Sequence, residues 1–260
     1  MPTDLLVLLS PYNLILFVVV FTRLGGLMSS APIFSTYPIP MQIKVWFVAL
    51  ITFIIYPIVL VKSGFQAPST IPELSVILLK EFMIGYVIGF ISNLVFVGVE
   101  MASEIISIQM GLAAAQALNP LTGMSAPILG QGYVILTSMV FIGLNAHQWL
   151  FSAVYKSFAV IPPGYGFIFN GQLTQEIVFL SGQIFSMALG IALPIFAVLF
   201  VTDVLLGFTA KMMPQMNIFM VAMPLKIYIG LVMIIMFIAA MYSHIGVIIE
   251  KLFNAIAVIF

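Results

Sequence analysis

Long apolar runs with few charges recur along this chain and constrain its fold more than any other feature. The first extends from about Leu14 to Met28, and the second, Val45 to Val61, lies between two lysines. A third extends from Glu73 to about Gln116, longer than the roughly 20 residues that one membrane crossing requires. Further runs cover Gly130–Leu144, Leu150–Ile161, Ile177–Phe208 and Ile227 to about Ile249. This pattern predicts an all-α membrane protein with six to eight helical segments.

The composition supports the same class. Of the 260 residues, 63% are hydrophobic and 6% are charged, whereas an ordinary soluble domain has about 25% charged residues. Eight basic and eight acidic residues balance, so no charge excess points to a nucleic-acid partner. The chain has no cysteine, which excludes disulfides and cysteine-based metal sites. The N-terminus lacks the basic start and cleavage site of a signal peptide, so we expect the first apolar run to be retained.

The charges do not define a membrane topology. Only Ser63–Pro72 reads as a clear polar loop, so we treat residues 1–260 as a single domain. The lysines do not alternate between successive loops as the positive-inside rule requires. Broken or re-entrant helices packed against protein would explain this. We therefore expect some of the helical segments to be interrupted.

The stretch Gly111–Gly123 is the least lipid-like part of the interior. Small residues precede Asn119–Pro120 and Thr122–Gly123, a combination that ends a helix and forms a turn. One interpretation is an ordinary connection between two helices. The other is a flexible element that lines or plugs a pathway, because irregular backbone at membrane depth must face protein or a cavity.

Three charged residues are candidates for buried functional groups. Glu100 and Glu104 are four residues apart and share a helix face. Ionisable groups in an apolar segment suggest a functional site, although a helix end outside the hydrocarbon would simply solvate both carboxylates. Lys211 is the third candidate, because it lies directly before a cluster of helix-breaking residues.

That cluster extends from Lys211 to Gly230. Pro214 and Pro224 each remove a backbone donor, and Gln215 and Asn217 add polar groups that lipid cannot satisfy. We expect one helix to end near Lys211 and another to resume near Leu225. Lys226 would then lie in the first helical turn, where the helix dipole disfavours a cation. A carboxylate or carbonyl of another subunit is one possible compensation.

Catalytic and cofactor signatures are missing from the sequence. It contains no P-loop, nucleophile elbow, zinc-protease motif or dinucleotide fingerprint, and Asp203 has no evident catalytic partner. Asn145 and His147 follow an apolar run, and the only other histidine is His244, so a helix cap is favoured over a metal site. We expect a protein that is not an enzyme and has no metal or cofactor.

Several motifs resemble the FliR family of flagellar export proteins and their injectisome relatives. PQMNIF and MPLKIYIGL, at Pro214–Phe219 and Met223–Leu231, are the most specific. TRLGGLMSSAPIFSTYPIPMQIK at Thr22–Lys44 and KEFMIGYVIGF at Lys80–Phe90 also match, and LPIFAVLFVTDVLLGF precedes the signature. The resemblance covers essentially the whole chain. It departs at Asn145–Gln148, which reads NAHQ where many relatives have Asn-Gly-His-His.

The resemblance implies an architecture and a set of partners. Its N-terminal part would be FliP-like and its C-terminal part FliQ-like, in an export gate with FliP-like, FliQ-like, FlhB-like and FlhA-like subunits at the bacterial inner membrane and flagellar basal body. The signature residues would serve assembly: Pro214, Gln215, Asn217, Phe219, Pro224 and Lys226. The family's pore-closing plug loop would comprise Gly111, Leu112, Ala113, Ala114, Ala115, Gln116, Ala117, Leu118, Asn119, Pro120, Leu121, Thr122 and Gly123.

The function implied is passage of unfolded flagellar proteins across the inner membrane by a non-enzymatic gate subunit. Two alternatives remain open at this point. One is the corresponding subunit of an injectisome. The other is a secondary transporter with a midplane substrate site, which would use Glu100, Glu104 and the interrupted helices. No inverted repeat or matching pair of interrupted helices supports the transporter.

Overall fold

The computed structural model describes residues 10–62, 65–112, 128–165, 171–215 and 217–259, and these residues form helices and short connections. Eight helices are present in these ranges, in the order α1 (Pro11–Ser30), α2 (Pro32–Thr36), α3 (Met41–Lys62), α4 (Ile71–Gln109), α5 (Ile128–Gly143), α6 (Ala146–Val160), α7 (Gly171–Met212) and α8 (Ile218–Ile259). The all-α prediction with six to eight helical segments is confirmed.

Five of these helices are long and apolar enough to cross a membrane: α1, α3, α4, α7 and α8. A sixth candidate is α5 and α6 together, which bend by 64° where one ends and the other begins. Asn145 lies at this bend in the left-handed region, with φ 55°. The predicted interruption of a helix is therefore present here, at the sequence NAHQ.

Short polar motifs lie at the beginnings of α1 and α4. Ser10 Oγ accepts from the backbone N–H of Asn13, and Pro11 occupies the first position of α1, where a helix needs no amide donor. At α4, Glu73 accepts from the backbone N–H of Ser69 at 3.0 Å. A carboxylate in the first turn also complements the helix dipole.

Three helices are much longer than a bilayer requires. α4 has 39 residues and α7 and α8 have 42 each, lengths of about 58 and 63 Å at 1.5 Å per residue. The hydrocarbon core of a bilayer is only about 30 Å thick. The long third run of the sequence is thus one continuous helix.

The break at Pro214 is confirmed, but the expectation that the next helix resumes near Leu225 is wrong. α7 ends at Met212 and α8 begins at Ile218, so Pro214 and Gln215 lie in the turn between them. Pro224 lies inside α8. A proline removes one backbone hydrogen bond, but membrane helices tolerate this where neighbouring groups or small local adjustments compensate for it. Lys226 is therefore in the third turn of α8 and not in a first turn.

The chain divides into two compact units. One comprises residues 1–94, 145–181 and 250–260, and the other comprises residues 95–144 and 182–249. Each unit draws on segments distant in sequence. The single-domain assignment for residues 1–260 stays a prediction.

Glycines allow α1 and α4 to approach closely in the first unit. A Cβ on Gly26 would meet the Phe82 carbonyl oxygen, and one on Gly85 would meet the Arg23 carbonyl oxygen. Ser30 Oγ donates to the Tyr86 carbonyl at 2.9 Å across the same crossing. Gly85 and Gly89 are four residues apart, the small-residue spacing typical of helix contacts in membranes. This crossing sets the positions of Arg23 and Glu81.

Candidate functional site

A buried ion pair joins α1 and α4. Arg23 Nε donates to Glu81 Oε2 at 2.6 Å, and both side chains are fully buried. Two charges in an apolar interior carry a large desolvation cost, which is offset only when the remaining donors and acceptors are also satisfied. The surroundings of this pair meet that condition.

Each remaining polar atom of the pair has a partner near the end of α6. Arg23 Nη1 donates to Ser157 Oγ, and Nη2 donates to the Ile161 carbonyl, both at 3.0 Å. The Gly164 N–H donates to Glu81 Oε1 at 3.0 Å. The guanidinium carbon also lies 4.0 Å from the centre of the Phe158 ring, a cation–π geometry. One ion pair thus ties two helices to the turn after α6.

A second charged cluster lies in the other unit, at the end of α4. Lys226 Nζ lies 2.7 Å from Asp203 Oδ1, and Gln109 Nε2 donates to Asp203 Oδ2 at 2.9 Å. The Lys226 side chain is 17% exposed and that of Asp203 is 39% exposed. We call Gln109, Asp203 and Lys226 the α4-end cluster. Its carboxylate connects α4, α7 and α8.

An apolar contact lies beside this cluster. Met110 is fully buried, and its side chain occupies the space over Gly230, where a Cβ would lie 2.6 Å from Met110 Cγ. Gly111 follows with φ 80°, in the left-handed region that favours glycine, and among the described residues no atom lies within 4 Å of a Cβ built there. A side chain at Gly111 would therefore be strained by the backbone conformation itself.

Most of the expected plug loop lies outside the described residues. Gly111 and Leu112 are described, and Ala113–Gly123 are not. The structure thus locates the beginning of this segment, directly after the α4-end cluster. Its role as a plug stays a prediction.

The signature residues occupy the turn between α7 and α8 and the first turns of α8. Pro214, Gln215 and Asn217 are exposed, and the Asn217 carbonyl accepts from the Met220 N–H at 3.1 Å. Phe219 and Pro224 lie within α8. Of the set, Lys226 is the residue that the structure joins to another charged group.

The burial expected for Glu100, Glu104 and Lys211 does not arise within this chain by itself, and their burial in a complex stays a prediction. All three are exposed, because no other described helix of the chain covers the faces that carry them. The possible partner of Lys226 also differs from the one considered, since Asp203 of the same chain provides the carboxylate. Asp203, for which the sequence showed no evident catalytic partner, therefore forms an ion pair with Lys226.

Sequence reasoning missed the Arg23–Glu81 pair. Arg23 is the only charged residue in the run Leu14–Met28, and this isolation was the available signal. A charge within the membrane needs a partner, but the sequence contains several acidic residues at similar separations from Arg23 along the chain. The partner is 58 positions away, beyond the reach of any local pattern.

The histidines do not form a metal site in the part of the chain that is described. No group of three or more potential ligands among histidines and acids occurs there. Asn145 is at the N-cap position of α6, and its side chain makes no capping hydrogen bond. His147 Nδ1 is buried without a hydrogen-bond partner, and His244 packs near Gly190.

The long apolar helices and the buried Arg23–Glu81 pair define an integral membrane protein whose described ranges are built from helices and short connections. Comparison with known proteins gives its family. Residues 14–252 match the model of the bacterial export proteins, family 1, and the chain belongs to that family.

Curated relatives agree in length and in name. Flagellar biosynthetic protein FliR of Escherichia coli strain K12 is 30% identical over 239 residues, covering 90% of this chain and 87% of the relative. FliR of Bacillus subtilis strain 168 is 27% identical over 227 residues, covering 84% of each. FliR of Aquifex aeolicus strain VF5 is 27% identical over 219 residues, covering 83% and 82%. The resemblance to the FliR family is confirmed, and the chain is a flagellar export component.

Proposed function

We propose that this chain is a non-enzymatic subunit of the flagellar export gate at the bacterial inner membrane and basal body. With FliP-like and FliQ-like subunits it forms the channel that passes unfolded flagellar proteins, and FlhB-like and FlhA-like subunits join it. The family match over residues 14–252 supports the export role. The flagellar names of the relatives favour this role over the injectisome alternative.

One structural observation carries the gating part of the proposal. α4 ends at Gln109 in a polar cluster, and Gly111 then turns the chain with a positive φ. The next residues are the segment that the family resemblance assigns to the plug. A segment that closes a pore and moves aside for a substrate needs a fixed anchor followed by a permissive backbone position. Gln109 and Gly111 provide this combination.

The exposed side chains of the long helices support the assembly part. On α8, Met220, Ile235 and Met236 are 76%, 70% and 70% exposed. Methionine is flexible and polarizable, and so it packs against varied partners. Such surfaces need lipid or neighbouring subunits to cover them. Partner subunits would also cover the exposed carboxylates of Glu100 and Glu104.

Deletion of Ala113–Leu118 tests the gating role. We expect the complex with its partners to assemble in normal yield but to pass ions, because the pore would lack its closing segment. Membrane conductance of cells with the deletion, compared with wild type, is the measurement. An assembled complex that stays ion-tight would exclude this segment as the plug.

Valine at Gly111 or Gly123 provides the complementary test. A β-branched residue is strained at the positive φ of Gly111. We expect reduced export without a leak, measured as secretion of flagellar subunits. Uptake of a labelled small solute by proteoliposomes of the isolated chain would support the secondary transporter instead.

A further inference from the structure

The end of α4 is held against α7 and α8 by two different kinds of contact. Gln109, the last residue of α4, reaches Asp203 on α7, which pairs with Lys226 on α8. The next residue, Met110, covers Gly230 on α8. Gly230 lies four residues after Lys226, about one helical turn further along the same face. The polar and apolar contacts therefore fix neighbouring points of α4 to neighbouring points of α8.

Asp203 is the central group of this arrangement. Its two carboxylate oxygens have separate partners, Oδ1 with Lys226 and Oδ2 with Gln109. Loss of the carboxylate would therefore release both side chains. A charged acceptor also strengthens each contact relative to a neutral one. Apolar packing, such as that of the buried Ile106 and Met110, would then have to hold the end of α4.

We infer that Asp203 is a positioning residue that fixes the end of α4 through Gln109 and Lys226. By doing so it sets the point at which Gly111 begins the segment of the proposed plug. The consequence for gating rests on the proposed function. The positioning of α4 does not, since it follows from contacts between described residues.

A cysteine pair measures the position of α4 directly. The natural chain has no cysteine, so Met110→Cys together with Gly230→Cys introduces one defined pair. The Met110 side chain occupies the place that a Cβ on Gly230 would take, so two cysteines at these positions would lie close together. A disulfide should therefore form readily on mild oxidation of the assembled complex. Adding Asp203→Ala should slow cross-linking about tenfold, the effect of losing contacts worth about 1.4 kcal/mol.

A charge exchange provides the rescue. Asp203→Lys and Lys226→Asp should each slow cross-linking when introduced alone. Together they should restore it, because the new lysine can pair with the new carboxylate and also donate to the amide oxygen of Gln109. Gly207→Ala is the matched control on α7, since a Cβ there would meet no atom within 4 Å in the part of the chain that is described. Its cross-linking rate should equal that of the parent pair.

Conductance separates this inference from the proposed function. In the complex without the two introduced cysteines, Asp203→Ala should increase ion leak, and the charge exchange should reverse the increase. Unchanged cross-linking in an assembled Asp203→Ala complex would overturn the inference, whatever the deletion of Ala113–Leu118 does. If cross-linking slows and is rescued but neither variant leaks, α4 is positioned as inferred and the plug assignment is wrong.

A milder variant covers the case in which Asp203→Ala does not assemble. Gln109→Leu removes the contact of α4 and leaves the ion pair of Asp203 with Lys226 intact. It should slow cross-linking about fivefold, which corresponds to about 1 kcal/mol, the usual net contribution of one hydrogen bond. A rate equal to that of the parent pair would count against the inference.

Discussion

Arg23 shows how a fully buried charge becomes compatible with an apolar interior. Each of its three side-chain nitrogens donates a hydrogen bond, to Glu81, Ser157 and the Ile161 carbonyl. The carboxylate in turn accepts from the Gly164 N–H, and Gly164 has φ 86°, a conformation open to glycine. Each side-chain nitrogen of Arg23 and each carboxylate oxygen of Glu81 therefore has a hydrogen-bond partner. Removing either charge would leave the other buried and unpaired.

Glu81→Gln tests this dependence. The substitution keeps the shape of the side chain but leaves the Arg23 guanidinium without a counter-charge, at a cost of about 3–5 kcal/mol for a broken buried pair. We expect a lower unfolding temperature of the purified complex and reduced recovery from membranes. Thermal unfolding followed by fluorescence is the measurement.

Glu176→Gln is the matched control, because Glu176 is exposed on α7 and undergoes the same chemical change. Its unfolding temperature should match that of the unmodified chain. The double substitution Arg23→Met with Glu81→Met should be less destabilising than Glu81→Gln, since it leaves no isolated charge. Equal stability of Glu81→Gln and the unmodified chain would show that the pair contributes little.

At the scale of elements, the crossing of α1 and α4 depends on the absence of side chains at particular glycines. Gly26 faces the backbone of Phe82 and Tyr86, whereas a Cβ on its neighbour Gly25 would meet no atom of the described residues within 4 Å. Backbone atoms cannot move aside as the end of a side chain can. We therefore expect the same substitution to alanine to have different effects on stability at these two adjacent glycines.

Gly26→Ala should destabilise the crossing by about 1–3 kcal/mol, the usual cost of overpacking. Its new Cβ would meet the Phe82 carbonyl and lie 2.9 Å from the Tyr86 nitrogen. Gly25→Ala should be neutral or slightly stabilising, because alanine has the higher helix propensity. Unfolding temperatures of the two complexes make the comparison. Similar losses for both variants would contradict close packing at Gly26.

For the whole molecule, the length of the helices exceeds what lipid can cover. The apolar part of α8, Met220–Ile256, has 37 residues and a mean hydropathy of 2.3, a length of about 55 Å against about 30 Å of hydrocarbon. In an 18-residue apolar stretch of this helix, only 17% of the residues are buried within the chain. The remaining apolar surface needs protein partners, which agrees with the proposed assembly.

The isolated chain should therefore be unstable in detergent. We expect it to aggregate when purified alone and to elute as a single species when expressed together with FliP-like and FliQ-like subunits. Size-exclusion chromatography with light scattering distinguishes the two cases. A monodisperse, helical chain without partners would be inconsistent with an obligate gate subunit.

The exposed residues show where sequence reasoning reached its limit. An apolar run predicts a helix because each apolar position favours it locally, but the run does not indicate which face another helix covers. Glu100 and Glu104 lie in such a run and are nevertheless exposed. Pro224 has a strong local preference against helix, yet α8 continues through it. Membrane helices tolerate proline where neighbouring groups compensate for the lost hydrogen bond. The position of Ala113–Gly123 stays open to experiment.

The sequence alone determined the membrane class, the all-helical fold, the break at Pro214 and the family signature. Each of these depends on composition or on residues close together along the chain. The tertiary structure decided which charges meet. Arg23 pairs with Glu81 across 58 positions, and Gln109 reaches Asp203 across 94. Such pairings depend on how the helices cross, because a charged side chain in an apolar interior has equally suitable partners along the sequence until packing brings one of them within hydrogen-bonding distance.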